Sequence, residues 1–511
     1  MNAVALCPAI RLDPNDNVVI ARALIPEGTQ VAGENVTTQQ TIPSGHKLSS
    51  RAIGKGEPVF KGRAVIGYAS ESLVAGTWLH THNLMVEGRA QAPLAQTPIA
   101  EPMAPLPTSQ RATFQGIVRA DGQVGTRNYI GVLVVGNCGA SAARQAADWF
   151  DADELAAYPN VDGVVPLIHE IGCGMELTGE PMELLRRTIS GFIRHPNIAA
   201  AVVVALGCER NNLGVFLEKE GLVVGEKLKT VTIQEAGGIR NTVELAKQYI
   251  RDMLPAVDAV CRQTVSAEHL LVAMQSSTQD GFCGITANPV LGRVADLVVL
   301  NGGTVVVSET PEWLWMQQRI RDRSATPEVW TKIANRLGWW REHGRGRDTE
   351  MSGRLNGALQ EAGLSTPLEK AIDSFTKTGT TPLRDAYEYA HAIKAKGLVF
   401  MDTPDADAIS VTGQVAGGAN LVLMSTGTGT SFGSLPIPTL KLASNLRTFE
   451  RISSDIDMHC GALLSGEDCV DGLAKIVFAC LLEVASGLRT KGEANGVDAN
   501  EYIPWSIGVV A

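Results

Sequence analysis

From Phe114 onward the apolar residues fall into continuous runs, each followed by a glycine-rich turn and an amphipathic stretch. Residues 129–135, 161–168 and 198–205 are the clearest runs. An apolar run without alternation predicts a strand buried on both faces, and its repetition with helices predicts α/β units around largely parallel sheets. After a break near Arg262 to Ser266, a second set begins at 269–274 and continues through 304–307, 397–400 and 420–424. The chain before Phe114 reads differently. Residues 9–87 carry short β-like runs, such as 17–25 and 57–60, broken by Gly and Pro, which predicts a small β-rich domain. Residues 91–110 hold Pro93, Pro98, Pro102, Pro105 and Pro107 without periodicity, as a stiff linker does. The expected organisation is therefore a β-rich domain over 1–90, a Pro-rich linker over 91–112, a first α/β domain over 113–262 and a second over 263–511.

Composition agrees with several domains rather than one. A chain of 511 residues exceeds a single ordinary core, and 45% hydrophobic and 19% charged residues with 52 Gly and 24 Pro resemble a compact, loop-rich enzyme. The net charge of −10 comes without a dense Lys/Arg run, so the footprint of a nucleic-acid or anionic-membrane binder is missing. Residues 1–20 offer neither a secretory apolar region nor a membrane span, which makes the cytoplasm the expected location. Nine widely spread cysteines are an odd number and argue against a disulfide framework.

The cysteines matter by position. Each strand of the first set ends at one, in Gly136-Asn137-Cys138, Ile171-Gly172-Cys173 and Leu206-Gly207-Cys208, with successive thiols spaced 35 positions apart. Strand carboxyl ends share one edge of a parallel sheet, where ligands bind, so the three thiols are expected to converge. Placement at helix N-termini would lower their pKa and favour metal-binding thiolates, although buried cysteines in small-residue turns produce the same spacing. His169, just past its strand, could add a nitrogen ligand or an acid/base group; Glu170 and Glu209 are alternative proton carriers. In the small domain, His80 and His82 at i and i+2 would share one side of a strand. The second set carries a polar turn from Met274 through Asp280 and Cys283 to Asn288-Pro289, suited to presenting backbone N–H groups to a carboxylate. The loop from Ser425 through Gly427 and Gly429 to Gly433 lacks the Gly-Lys-Ser/Thr ending of a phosphate-binding loop.

Taken together the motifs resemble the altronate/galactarate dehydratase family over almost the whole chain. They comprise Gly45-His46-Lys47 in a domain similar to the SAF module, Arg119 through Arg127-Asn128, Pro159-Asn160-Val161-Asp162-Gly163, the segment from His169 to Gly174, Gly207-Cys208, Asp280 through Asn288-Pro289, Thr426 through Thr430, and Pro436 through Lys441. The His80 and His82 pair resembles the altronate-type branch. The resemblance implies dehydration of a 2,3-dihydroxy acid, a small anionic substrate, to a 2-keto-3-deoxy acid. A divalent cation would assist, commonly iron, with manganese or magnesium as substitutes and an iron–sulfur cluster as a further option for three cysteines. Cys138, Cys173, Cys208 and His169 are the implied ligands. His169, His80, His82 and Glu170 are the implied proton carriers, and Arg127, Asn128, Asp280, Asn288, Thr426 and Lys441 the implied substrate contacts. A homo-oligomer is compatible with the family.

Three departures from the family pattern stand out. Ser276-Ser277-Thr278-Gln279 replaces a usual Cys-Gly-Gly-Ser before Asp280, Thr428 replaces an arginine, and an Asn-Pro-Ser-Pro-Gly-Asn loop is not recognisable around 350–356. Losing a cation and reshaping two loops should change which acid fits. Two rival functions follow: elimination of another β-substituent, as in sulfolactate sulfo-lyases, and a non-catalytic binding protein on a decayed site.

Overall fold

The computed structural model describes residues 7–86, 103–347, 355–496 and 501–507. Most of the expected linker, and residues 350–354, lie outside these. The N-terminal part is built of short antiparallel strands: Ala9–Ile10, Val18–Ala21, Lys47–Ser49 and Trp78–Leu79 form one sheet, and Pro58–Lys61, Ala64–Ala69 and Leu84–Met85 another. Two parallel sheets follow. The first orders its strands Gly163–Leu167, Tyr129–Val134, Ile198–Ala205 and Leu228–Thr232. The second has seven strands in the order Leu383–Tyr387, Gly397–Met401, Thr304–Val307, Leu271–Ser276, Leu421–Thr426, Thr439–Ala443 and Met458–His459, all parallel. The central strands are the apolar runs, buried along their length, as strands covered on both faces by helices must be.

The segment read as a break is itself a strand, Gln263–Ser266, antiparallel to Thr113–Val118. The chain thus enters and leaves the first α/β unit side by side. The units also share cores. One apolar cluster runs from Leu133, Val203 and Ile189 to Met424, Tyr389 and Trp505, joining both parallel sheets. Another joins Val59, Ile66 and Leu84 of the small domain to Val272, Val290 and Leu423. No helix among the described residues is long and apolar enough to cross a membrane.

Candidate active site

At the carboxyl edge of the first sheet the glycines beside the cysteines let three turns touch. A Cβ on Gly172, whose φ is +99°, would lie 2.4 Å from the Val135 carbonyl oxygen, and one on Gly136 would lie 2.8 Å from Cγ of Glu209. Backbone bonds tie the turns: Asn137 N–H donates to Ile171 O (3.1 Å), and Asn211 N–H to Gly172 O (3.0 Å). The Asn211 amide also donates to Val135 O at 3.0 Å. Cys138 thereby comes within the electrostatic reach of Cys173, Glu209 and Cys208, so the thiols do converge. Desolvation, the Cys173 thiol and the Glu209 carboxylate together push the Cys138 thiol up, opposite to the direction expected from a helix N-terminus. Glu209 is spent on its own turn, accepting the N–H groups of Leu206 and Gly207. Glu170 is exposed.

His169 does not complete a ligand set. Its Nδ1 accepts Ile171 N–H (3.3 Å), so its Nε2 carries the proton and donates to Val134 O (3.0 Å). Burial holds the ring at a pKa of about 4. Among the described residues no group of three or more His, Cys, Asp or Glu is arranged to hold a metal ion. The four residues expected to bind a divalent cation therefore do not fit one as a set.

Two other expectations need correction for the same reason. All five N–H donors of Arg127 are used, on both Glu493 oxygens (2.6 and 2.9 Å) and on the carbonyls of Thr126, Val484 and Leu488. Asn128 donates to Asn160 O and Val257 O and accepts from Arg119. Both sit at the amino end of the Tyr129–Val134 strand, away from the ligand edge, and pin the fold.

The second sheet's carboxyl edge is dense with buried polar groups. Ser276 and Ser425 donate to Asn288 Oδ1 (3.2 and 2.5 Å), and the Asn288 amide to Asp373 O. The Ser277 hydroxyl donates to Asp407 (2.6 Å), and Thr278 meets Thr426 at 3.0 Å. Asp280 accepts the N–H groups of Phe282 and Cys283 and the side chains of Ser444 and Asn445. Lys441 is buried and donates to Phe432 O at 2.9 Å. Sequence reasoning missed Glu312, Lys370 and Lys377 here. Glu309, in the left-handed region at φ 69°, pairs with Lys377 and accepts from Gln275, while Glu312 pairs with Lys370 (3.1 Å), which also reaches Asp405 (2.7 Å). The available signal was the run Glu369-Lys370-Ala371-Ile372-Asp373, which places charge on a helix buried throughout from Leu368 to Phe375. Arg336 links the two edges, with Nε 2.6 Å from Asp402 and Nη1 3.9 Å from Glu180.

The small domain docks against this second edge. Glycine makes the approach: a Cβ on Gly281 would sit 2.0 Å from Gly45 O, and one on Gly363 2.8 Å from the same atom. His46 accepts the Trp78 indole N–H on Nδ1 (3.1 Å) and donates to Glu361 O (3.2 Å). His80 accepts Thr81 N–H on Nδ1 (2.7 Å) and donates to Gln360 O (3.0 Å). His80 and His82 lie in a turn closed by Asn83 rather than on a strand, with ring centroids 6.4 Å apart, and only His82 is exposed. Burial and the Lys47 ammonium hold His46 at about 4 and push His80 down as well. Beneath the rings lies a buried ion network: Lys47 to Glu369 (2.9 Å), and Lys61 to Glu369 (2.9 Å) and Asp373 (2.7 Å).

Three family models match the chain in order. Residues 7–87 match the altronate/galactarate dehydratase SAF domain, 116–258 the D-galactarate dehydratase/altronate hydrolase second domain, and 267–510 the D-galactarate/altronate dehydratase C-terminal domain. Galactarate dehydratase (L-threo-forming) of Escherichia coli is 30% identical over 488 residues, covering 93% of this chain and 90% of the relative. Altronate dehydratase of Bacillus subtilis is 28% identical over 504 residues, 98% of this chain and 99% of the relative. The (2R)-sulfolactate sulfo-lyase subunit beta of Chromohalobacter salexigens is 28% identical over 389 residues, 75% and 95%.

Proposed function

Because the chain belongs to the altronate and galactarate dehydratase family, we propose that it is a hydro-lyase that removes water from a sugar acid or related 2,3-dihydroxy acid to leave a 2-keto-3-deoxy acid. The observation that carries this reading at the site is the meeting of three chain segments at one strand edge. The small domain's Gly45 loop, the turn after Ser276 and the segment 360–363 close around backbone contacts that only glycines permit.

The chemistry asks for specific parts. Taking the proton next to a carboxylate builds charge that aimed donors must stabilise, and the departing hydroxyl needs a proton. His169 and His80 are tied by both nitrogens to backbone, so the proton carriers left from the expected set are the exposed His82 and Glu170. Asp280, Asn288 and Thr426 hold the turns at this edge through the bonds described above, and Lys441 supplies buried positive charge there.

The test is a panel of aldonic, aldaric and sulfo-hydroxy acids assayed for 2-keto acid, with sulfite measured in the same reactions. Keto acid without sulfite is the expected result. Sulfite release would move the activity to the sulfo-lyase branch, and no keto acid from any member would overturn the proposal.

A further inference from the structure

The turn that departs from the family pattern contains an unfilled acceptor. Gln279 is 1% exposed; its amide nitrogen donates to Glu312 Oε1 at 3.3 Å, and its Oε1 receives no hydrogen bond. Glu312 is 6% exposed and lies on the short helix Thr310–Trp313, just past the carboxyl end of the Thr304–Val307 strand. Its Oε1 faces Gln279 and Lys370, while its Oε2 also lacks a hydrogen-bond partner. Burial pushes the Glu312 carboxyl up, but Lys370, Lys377 and the Ser374 hydroxyl outweigh it and keep the group ionised. Two contacting side chains therefore each present a buried oxygen with no donor.

Buried acceptors without donors cost stability, and native proteins keep few of them. Neither oxygen can act as a donor. The complementary group must bring O–H or N–H and cannot be a second carboxylate or a sulfonate, which at neutral pH offer only acceptors. The neighbouring polar atoms of the turn are already matched: Ser276 to Asn288, Ser277 to Asp407 and Thr278 to Thr426. Within the turn itself the unmet acceptor is Gln279 Oε1, and the Glu312 Oε2 beside it is another.

We propose that Gln279 Oε1 and Glu312 Oε2 form a specificity-determining acceptor pair that receives a hydroxyl at the end of the substrate remote from its reacting carboxylate. The inference rests on the hydroxy-acid lyase reading and narrows it. The acid would end in a hydroxyl-bearing carbon, as aldonic acids do, and an acid ending in a second carboxylate or a sulfonate would be disfavoured by Glu312.

Equilibrium binding by calorimetry tests this, using an aldonic acid that the chain binds, its terminally deoxygenated counterpart, and the aldaric acid of the same length. The wild-type chain should prefer the aldonic acid by about 100-fold or more, since a site built to bond a hydroxyl rejects the analogue lacking it. Gln279→Met should shrink that preference toward parity, with binding of the deoxy acid retained and the melting temperature unchanged or raised. Glu312→Gln provides a second variant should Gln279→Met fold poorly, and it should relax the discrimination against the aldaric acid. Equal wild-type binding of all three acids, binding of none, or variants that weaken all three equally would overturn the pair. Binding with the expected preference but without turnover would strike the lyase reading alone.

Discussion

Lys61→Met probes the lock between the small domain and the rest of the chain. The ammonium lies 2.7 Å from Asp373 and 2.9 Å from Glu369, with all three side chains at most 5% exposed. Removing it leaves two buried carboxylates sharing the single Lys47 ammonium. Breaking a buried pair from one side costs about 3–5 kcal/mol. The lower end applies, because Asp373 can shed its charge: burial, outweighing Lys61, already holds it at about 6.

That escape route gives the substitution a pH signature. Asp373's folded pKa stands above its unfolded 3.8, so its contribution is fully present below that value and is lost as pH rises through about 6. Without Lys61 the folded pKa climbs further, and the penalty grows toward alkaline pH. The variant should therefore lose about 3 kcal/mol near neutrality, more at about pH 8 and less at about pH 5.5. Hydrogen exchange of small-domain peptides is the assay, since a multidomain chain has no single unfolding equilibrium. Protection should drop about 100-fold near neutrality, at roughly 1.4 kcal/mol per tenfold. A loss below about 1 kcal/mol, of the size of an exposed pair, or one that does not vary with pH, would refute the argument.

The remaining predictions concern residues whose roles the structure redefines. Arg127→Met leaves Glu493 buried and uncompensated, and hydrogen exchange of the peptides around Glu493 should show a loss of about 3–5 kcal/mol, while turnover per folded molecule is kept. His169→Ala should cost about 1–3 kcal/mol through the unbonded Val134 carbonyl, with no change in metal content by elemental analysis of anaerobically purified protein. For Glu369, burial is outweighed by Lys47 and Lys61, which hold it at about 2 against an ordinary 4.5. Its stabilisation is present above 4.5 and lost as pH falls through 2, about 3 kcal/mol in all, and Glu369→Gln should flatten that acid limb in hydrogen exchange of small-domain peptides followed across pH. Iodoacetamide labelling of Cys138, followed by peptide mapping, should rise only at a pH above that of an ordinary thiol, and Cys173→Ala should speed it.

What could be read from the chain depended on how local the physics was. The central strands announced themselves because burial on both faces demands an unbroken apolar run. The strands Leu228–Thr232 and Leu383–Tyr387 went unread, since at the sheet edges they carry Lys229 and Thr230, or Arg384 and Asp385, on faces that are not fully buried. The convergence of Cys138, Cys173 and Cys208 was legible because strand order and direction alone bring their turns to one edge. Arg127, His169 and His80 were misjudged because their partners, Glu493, Val134 O and Gln360 O, are set by tertiary packing. A polar residue in a motif does not disclose whether its hydrogen bonds are already taken.

The docking of the small domain also has a timetable. Lys61 and Asp373 are 312 residues apart, and His80 and Gln360 are 280 apart. At a synthesis rate of about 5–20 residues per second, the N-terminal strands emerge from the ribosome roughly 15–60 s before the helix that receives them. Throughout that interval Lys47 and Lys61 keep their hydration, and the rings of His46, Trp78 and His80 face water. The small domain is thus an early product of translation that waits for a late one, and its own core around Val19, Ile25 and Leu48 must hold it together in the meantime.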